Sequence, residues 1–181
     1  SSDPEHIEAY KKWVNIKGRK VQVTNEEGNP STTVIPTFQE NVSFFLNYQL
    51  GFMYLRYFLW NFAGRQNDIQ STGDLLNGNW QSGIPAIDGH FSGPQKNLPA
   101  AAKANKGRNS YYFLPLILGL IGLWFHYKAD RNGFLIVGLL FFLMSVALVV
   151  YLNEVPNTPR ERDYVYVGSF YAFAIWIGLG V

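Results

Sequence analysis

The chain has 181 residues, of which 15% are charged and 17% aromatic, and its formal net charge is +2. So small a net charge, without a basic stripe interleaved with aromatic residues, argues against a nucleic-acid partner. Cysteine is absent, which excludes disulfides and thiolate metal sites. The mean hydropathy of −0.04 averages a polar first half with an apolar second half.

Residues 1–42 are predicted to form a small β-rich appendage. Three short segments have the composition or alternation of strands, and they are Trp13–Ile16, Lys20–Thr24 and Thr32–Ile35. The intervening Lys17–Arg19 suits a tight turn. Strands this short need a surface to pack on, so we expect a β-meander lying against the rest of the chain.

Residues 43–110 combine an aromatic segment with a long loop. Ser43–Ala63 is long enough to span a membrane, yet it contains Arg56 near its centre. It is either an interfacial helix or a helix inside a bundle with Arg56 paired. A central arginine in lipid costs about 2.5–3.5 kcal/mol even on insertion scales, so we favour the interfacial helix. Gly64–Arg108 is rich in glycine and proline and is predicted to be a binding loop.

Residues 111–181 contain three apolar runs, and they are Tyr111–Tyr127, Gly133–Leu152 and Tyr164–Val181. A hydrocarbon core of about 30 Å needs roughly 20 such residues in a helix. We therefore predict three transmembrane helices, the first two joined by a tight hairpin at Lys128–Asn132. The predicted fold class is mainly α, with multi-pass membrane helices, a small N-terminal β-meander and a long loop region. Because the last run stops at Val181 without an interfacial anchor, we expect an internal fragment of a longer protein.

A first polar cluster follows the aromatic segment, in the run from Asn61 to Gln70. It is either the C-terminal turn of a helix or a hydrogen-bonding surface for a polar ligand such as a sugar. Its candidate substrate-binding residues are Arg65, Gln66, Asn67 and Asp68.

A second polar cluster immediately precedes the last apolar run and contains Arg160, Arg162 and Tyr164. One interpretation is a self-neutralising group of ion pairs, since Glu161 and Asp163 alternate with the arginines. The other is a lipid-phosphate site, because arginine binds phosphate bidentately and Tyr164 would set the depth of the helix. The spacing alone does not choose between them.

No sequence motif identifies a catalytic residue. The chain lacks a Ser–His–Asp arrangement, a phosphate-binding loop and a glycine-rich dinucleotide turn. His6, His90 and His126 are far apart and have no ligand partners at metal spacing. We therefore expect no catalytic residue in this chain, no metal and no cofactor.

Three stretches carry a family resemblance, and they are Met53–Gln70, Leu114–Lys128 and especially Pro159–Gly180. They resemble the central region of large bacterial multi-pass membrane proteins of the family named domain of unknown function 2723. That family looks like a branch of the GT-C glycosyltransferases, which use polyprenyl-phosphate sugars, and it has a vertebrate relative that is a protein O-mannosyltransferase.

The resemblance implies an internal fragment of an integral membrane GT-C-like glycosyltransferase in the bacterial inner (cytoplasmic) membrane. Sugar would pass from a polyprenyl-phosphate donor to a hydroxyl acceptor, for which a protein is one candidate. The catalytic carboxylate of such enzymes lies in the first extracytoplasmic loop, outside this chain. Residues 43–110 would lie on the extracytoplasmic side. The alternative is a non-catalytic membrane transporter or scaffold protein, in which the polar clusters are ion pairs inside a bundle.

Overall fold

The computed structural model describes residues 4–24, 30–94, 98–156 and 163–181. Helices predominate, and two two-stranded antiparallel sheets accompany them. The elements in chain order are α1 (Pro4–Trp13), β1 (Arg19–Thr24), β2 (Pro30–Ile35), α2 (Phe38–Phe44), a first π-helical segment (Phe45–Leu55), α3 (Arg56–Phe62), β3 (Gly64–Arg65), α4 (Pro85–Phe91), α5 (Ala100–Lys103), β4 (Asn109–Ser110), α6 (Leu114–Ala129), α7 (Arg131–Phe142), a second π-helical segment (Leu143–Ala147), α8 (Leu148–Leu152), a 3₁₀ turn (Asp163–Tyr166) and α9 (Val167–Leu179).

The N-terminal region is not the predicted three-stranded meander. Trp13 ends helix α1 instead of starting a strand, and only β1 and β2 pair, with Arg19 opposite Ile35. The reason is visible in the sequence, because Ile7, Tyr10 and Val14 recur at helical spacing. The alternation of valines predicts β1 correctly, whereas the helical spacing before it indicates α1 and contradicts the predicted strand at Trp13.

One carboxylate joins the hairpin to helix α2. Thr37 and Glu40 form a reciprocal capping box at the start of the helix. Glu40 also accepts hydrogen bonds from the backbone N–H groups of Lys17 (2.7 Å) and Gly18 (3.0 Å). These backbone N–H groups, first Gly18, then Thr37 and Lys17, lower the pKa of Glu40 from 4.5 to about 2. The turn before β1 is thereby fixed to the helix after β2.

Helices α2 and α3 and the π-helical segment between them continue without a break, because every intervening residue keeps a right-handed helical backbone. Tyr54 and Phe58 are buried in the main hydrophobic cluster. Arg56 is 8% exposed and donates hydrogen bonds to the carbonyl oxygens of Phe52 (3.1 Å) and Gly78. This geometry fits the alternative of a helix packed within a bundle, and the position of the segment at a membrane interface stays a prediction.

The closest helix contact joins α6 and α9. A methyl group at Gly119 would overlap the ring of Phe173, and one at Gly122 would overlap the carbonyl oxygen of Trp176. Glycine at these positions lets the two backbones approach directly, as small residues do between packed helices. Near the C-terminal end of α6, the indole N–H of Trp176 donates a hydrogen bond to Nδ1 of His126 at 3.2 Å.

The predicted multi-pass membrane architecture is wrong. Within the described ranges only one helix, Arg131–Leu152, is long and apolar enough to cross a membrane; it comprises α7, the second π-helical segment and α8. Helix α6 and the last apolar helix, Tyr164–Leu179, are shorter. The 16 residues of α6 rise only about 24 Å at 1.5 Å per residue, less than the hydrocarbon thickness of about 30 Å.

The backbone explains why the outer two apolar runs yield shorter helices. Tyr112 and Phe113 both have a left-handed backbone, with φ of 52° and 59°, so α6 begins only at Leu114. The last run starts as a 3₁₀ turn before it becomes helical. Between α6 and α7, Asp130 has an extended backbone, and its side chain caps α7 through the N–H groups of Asn132 and Gly133. The break therefore falls inside the predicted hairpin linker.

We predict that the junction at Glu40 weakens in acid. A carboxyl whose pKa is depressed in the folded state stabilises the fold above its unfolded pKa, near 4.5, and loses that effect as the pH falls towards 2. A carbon-detected NMR titration should place the Glu40 transition near 2. Amide exchange at Gly18 should accelerate over the same interval, and Glu40→Gln should abolish that transition. Titration of Glu40 near 4.5 would contradict the assignment.

Candidate functional site

Three short backbone segments meet beside the start of α6. Strand β3 pairs with β4, which places Arg65 opposite Asn109, and Arg65 also bridges to Trp80 on its other side. The N–H of Tyr111 bonds to the carbonyl of Ala63 at 3.1 Å and extends this pairing towards α6. The loop region predicted from glycine and proline content is thus held by backbone pairing where it leaves α3 and where it enters α6.

The side-chain amides of the first polar cluster form hydrogen bonds within the loop. Asn67 donates through Nδ2 to the carbonyl of Leu76 (3.0 Å), and its Oδ1 accepts from the N–H groups of Ile69 (3.2 Å) and Gly78 (2.8 Å). Gln66 likewise donates to a backbone carbonyl and accepts from Asn79. Both amides fold residues 66–79 into a closed loop, so their hydrogen-bonding groups are occupied by the protein.

A buried carboxylate organises the next part of the loop. Asp88 is 2% exposed and accepts hydrogen bonds from the N–H and Oγ of Ser82, both at 2.7 Å, and from the N–H of Gly83 at 2.8 Å. These donors satisfy both of its oxygens. Asp68, in contrast, is exposed and lies against Gly107.

Arg65 differs from its neighbours because its side chain forms no hydrogen bond within the part of the chain that the structure describes. Its guanidinium carbon lies 4.1 Å from the ring centroid of Trp60, a cation–π contact. The Trp60 indole N–H is itself held by the carbonyl of Asn67 at 3.1 Å. Among the described residues the guanidinium makes no hydrogen bond or ion pair, although its Nε is buried. The residue as a whole is half-buried.

Asn109 lies beside Arg65 on the same face of the small sheet. Residues directly opposite each other in an antiparallel pair project their side chains to one face, so Arg65, Asn109 and Trp80 share it. Asn109 is exposed, and its side-chain amide has no hydrogen bond to the described residues. This face therefore presents a guanidinium and a neighbouring amide that have no acceptors among the described residues.

Only part of the second predicted polar cluster lies within the described residues. Arg160 and Arg162 lie outside the described residues, so their predicted role stays a prediction. Tyr164 belongs to the 3₁₀ turn before α9 and is 60% exposed.

A further polar group was not predicted from the sequence. Tyr48 donates from its hydroxyl to the carbonyl of Val155 (3.1 Å), and Gln49 donates to Oδ1 of Asn153 and the carbonyl of Glu154. Burial, reinforced by the charge of Glu154, raises the pKa of Tyr48 to about 12. These contacts join residues more than 100 positions apart, so no local pattern could indicate them. They hold the segment after α8 against the first π-helical segment.

Comparison of the chain with protein-family models, with curated proteins and with solved structures finds no match.

We predict that Asn67→Ala opens the loop of residues 66–79. The substitution leaves the Gly78 N–H and the Leu76 carbonyl without partners, which should destabilise the fold by about 1–3 kcal/mol. The check is urea denaturation together with hydrogen exchange at Gly78. Asp68→Ala, at the exposed neighbouring position, is the matched control and should change neither. Equal behaviour of the two variants would show that Asn67 does not hold the loop.

Proposed function

We propose that the chain is a membrane-bound part of a GT-C-like glycosyltransferase that moves a sugar from a polyprenyl-phosphate donor to a hydroxyl acceptor. The observation that carries the membrane part of the proposal is the apolar, exposed surface of helix Arg131–Leu152. The transferase part rests on the resemblance of Met53–Gln70, Leu114–Lys128 and Pro159–Gly180 to that enzyme class.

The exposed surface of this helix supports contact with lipid. Only 11% of its most apolar stretch is buried within the protein. Leu135, Ile136 and Leu139 are 64%, 71% and 58% exposed. A central helix of a water-soluble domain buries such side chains, because each contributes about 1.5–3 kcal/mol when it leaves water. A helix whose apolar side chains face lipid gains the same free energy, because those side chains also leave water.

The polar loop region would then serve the donor. Gln66 and Asn67 shape the loop, while Arg65 keeps a cation available on its surface. Arg160, Arg162 and Tyr164 remain proposed contacts of the polyprenyl phosphate. The acid or base of the transfer would come from a part of the enzyme outside this chain. In this proposal the protein resides in the bacterial inner membrane, and a protein hydroxyl is one possible acceptor.

A second candidate is a non-catalytic membrane scaffold. It is favoured by the closed hydrogen bonding of the first polar cluster, because Gln66 and Asn67 direct their amides to the loop backbone. In that case the cluster has only a structural role. A measurement of sugar transfer by the full-length protein separates the two candidates.

We predict that Arg160→Ala and Arg162→Ala weaken donor binding in the full-length protein. A charge-assisted hydrogen bond to phosphate is worth about 1.5–3 kcal/mol, so each loss should reduce affinity roughly 10- to 100-fold. Replacement by lysine should restore little, since an ammonium lacks the planar fork. Affinity for a polyprenyl-phosphate sugar and the rate of sugar transfer are measured in isolated membranes.

The matched control is Arg19→Ala, which removes an exposed arginine from β1 and should leave both quantities unchanged. If the wild type binds and transfers no sugar from any polyprenyl donor, the transferase proposal fails and the scaffold remains. If it transfers sugar but both arginine variants behave like wild type, only this site assignment fails.

A further inference from the structure

The side chain of Arg65 has N–H donors that could bind an anion. A guanidinium has five N–H donors and no acceptor, and here none of them donates to an oxygen of the described residues, the buried Nε included. The buried Nε has also given up its contact with water, and a buried donor without an acceptor is unfavourable. The two terminal nitrogens of the guanidinium are not buried, so an anion can reach the donors on that edge.

The stacking on Trp60 holds the guanidinium in one orientation. The ring lies 4.1 Å away, and its indole N–H is anchored to the carbonyl of Asn67. The loop amides thus act on Arg65 indirectly, since they fix the ring on which it rests. A plane fixed in this way loses less conformational entropy on binding a planar or tetrahedral oxyanion than a free arginine does.

Asn109 supplies a second donor next to the first. It is paired directly with Arg65, is exposed, and its amide has no acceptor among the described residues. Lys106, also exposed, lies three residues earlier in the chain. Asp68 is the acidic residue closest to Arg65 in sequence. It packs against Gly107 and makes no ion pair with Arg65.

We propose that Arg65 and Asn109 form a binding site for a phosphate group, with Trp60 as its supporting platform. Phosphate is favoured over a carboxylate because it offers oxygens to the guanidinium fork and to the amide at the same time. The assignment does not depend on the transferase proposal, because it follows from the contacts of Arg65 alone. The phosphate could belong to a lipid headgroup or to a soluble molecule.

The test measures binding of two probes to the full chain in neutral lipid discs. One probe is inorganic phosphate, followed by phosphorus NMR line broadening, and the other is phosphatidic acid incorporated into the disc. Arg65→Gln should reduce affinity at least about tenfold for whichever probe binds. Arg65→Lys should recover only part of it, and Asn109→Ala should reduce it by a smaller factor.

Arg131→Gln is the matched control, because Arg131 also lies over an aromatic ring, 5.3 Å from Tyr127, but at the opposite end of α6. It should bind both probes like wild type. Binding of inorganic phosphate would assign a site open to soluble phosphates, and binding of phosphatidic acid alone would assign a lipid headgroup site. Asn109→Ala serves as the second variant if Arg65→Gln does not fold. Absence of binding in wild type, or equal loss in Arg131→Gln, would overturn the proposal.

Discussion

The packing of aromatic rings between α3 and α9 is the interaction on which the rest of the structure depends. Phe173 meets Phe58 at 4.8 Å and Phe62 at 4.7 Å, both edge to face, and continues to Trp176 at 6.3 Å. Such pairs contribute about 0.5–1.5 kcal/mol each beyond the area they bury. Gly119 of α6 leaves the space that the Phe173 ring fills. A single ring therefore connects three helices in a chain that has no disulfide to join them.

The positions of the residues in the candidate site depend on this aromatic core. Phe62, the last residue of α3, packs on Phe173, and Trp60 lies on the same helix, where its ring stacks on Tyr57. Arg65 follows three residues later in β3 and lies on that ring. The backbone pairing with Asn109 then joins the same place to the start of α6. A perturbation of the aromatic core should therefore reach the guanidinium through one turn of helix.

Local patterns predicted the positions of the apolar helices and the break near Asp130, because long uncharged runs and a polar linker are readable in sequence. Local patterns could not predict the lengths of those helices, since the left-handed backbone at Tyr112 and Phe113 depends on their surroundings. The multi-pass prediction failed because two of the three runs form helices too short to span a membrane: α6 has 16 residues, and the last run starts as a 3₁₀ turn. The three-stranded meander is wrong because Trp13 ends the helix that Ile7 and Tyr10 indicate, so the predicted strand Trp13–Ile16 does not form.

Of the candidate site, the sequence indicated Arg65 but not its partners. Trp60 precedes it by five residues, a spacing that places no pair on one helical face, and Asn109 is 44 positions away. The expectation that Gln66 and Asn67 face a ligand did not anticipate the turn formed by residues 66–79, which brings backbone groups to both amides. Contacts of this kind depend on the tertiary fold and leave no periodic signal.

The most direct test of the account is the environment of helix Arg131–Leu152. Because the chain has no cysteine, a single one introduced at Leu139 or at Leu76 is a unique site for a fluorescent label. Both positions are exposed, at 58% and 76%, but only the first is on the apolar helix. In lipid vesicles, a lipid-attached quencher should quench the label at position 139, and aqueous iodide should quench the label at position 76. Iodide quenching of both labels, with no effect of the lipid-attached quencher at position 139, would contradict the account.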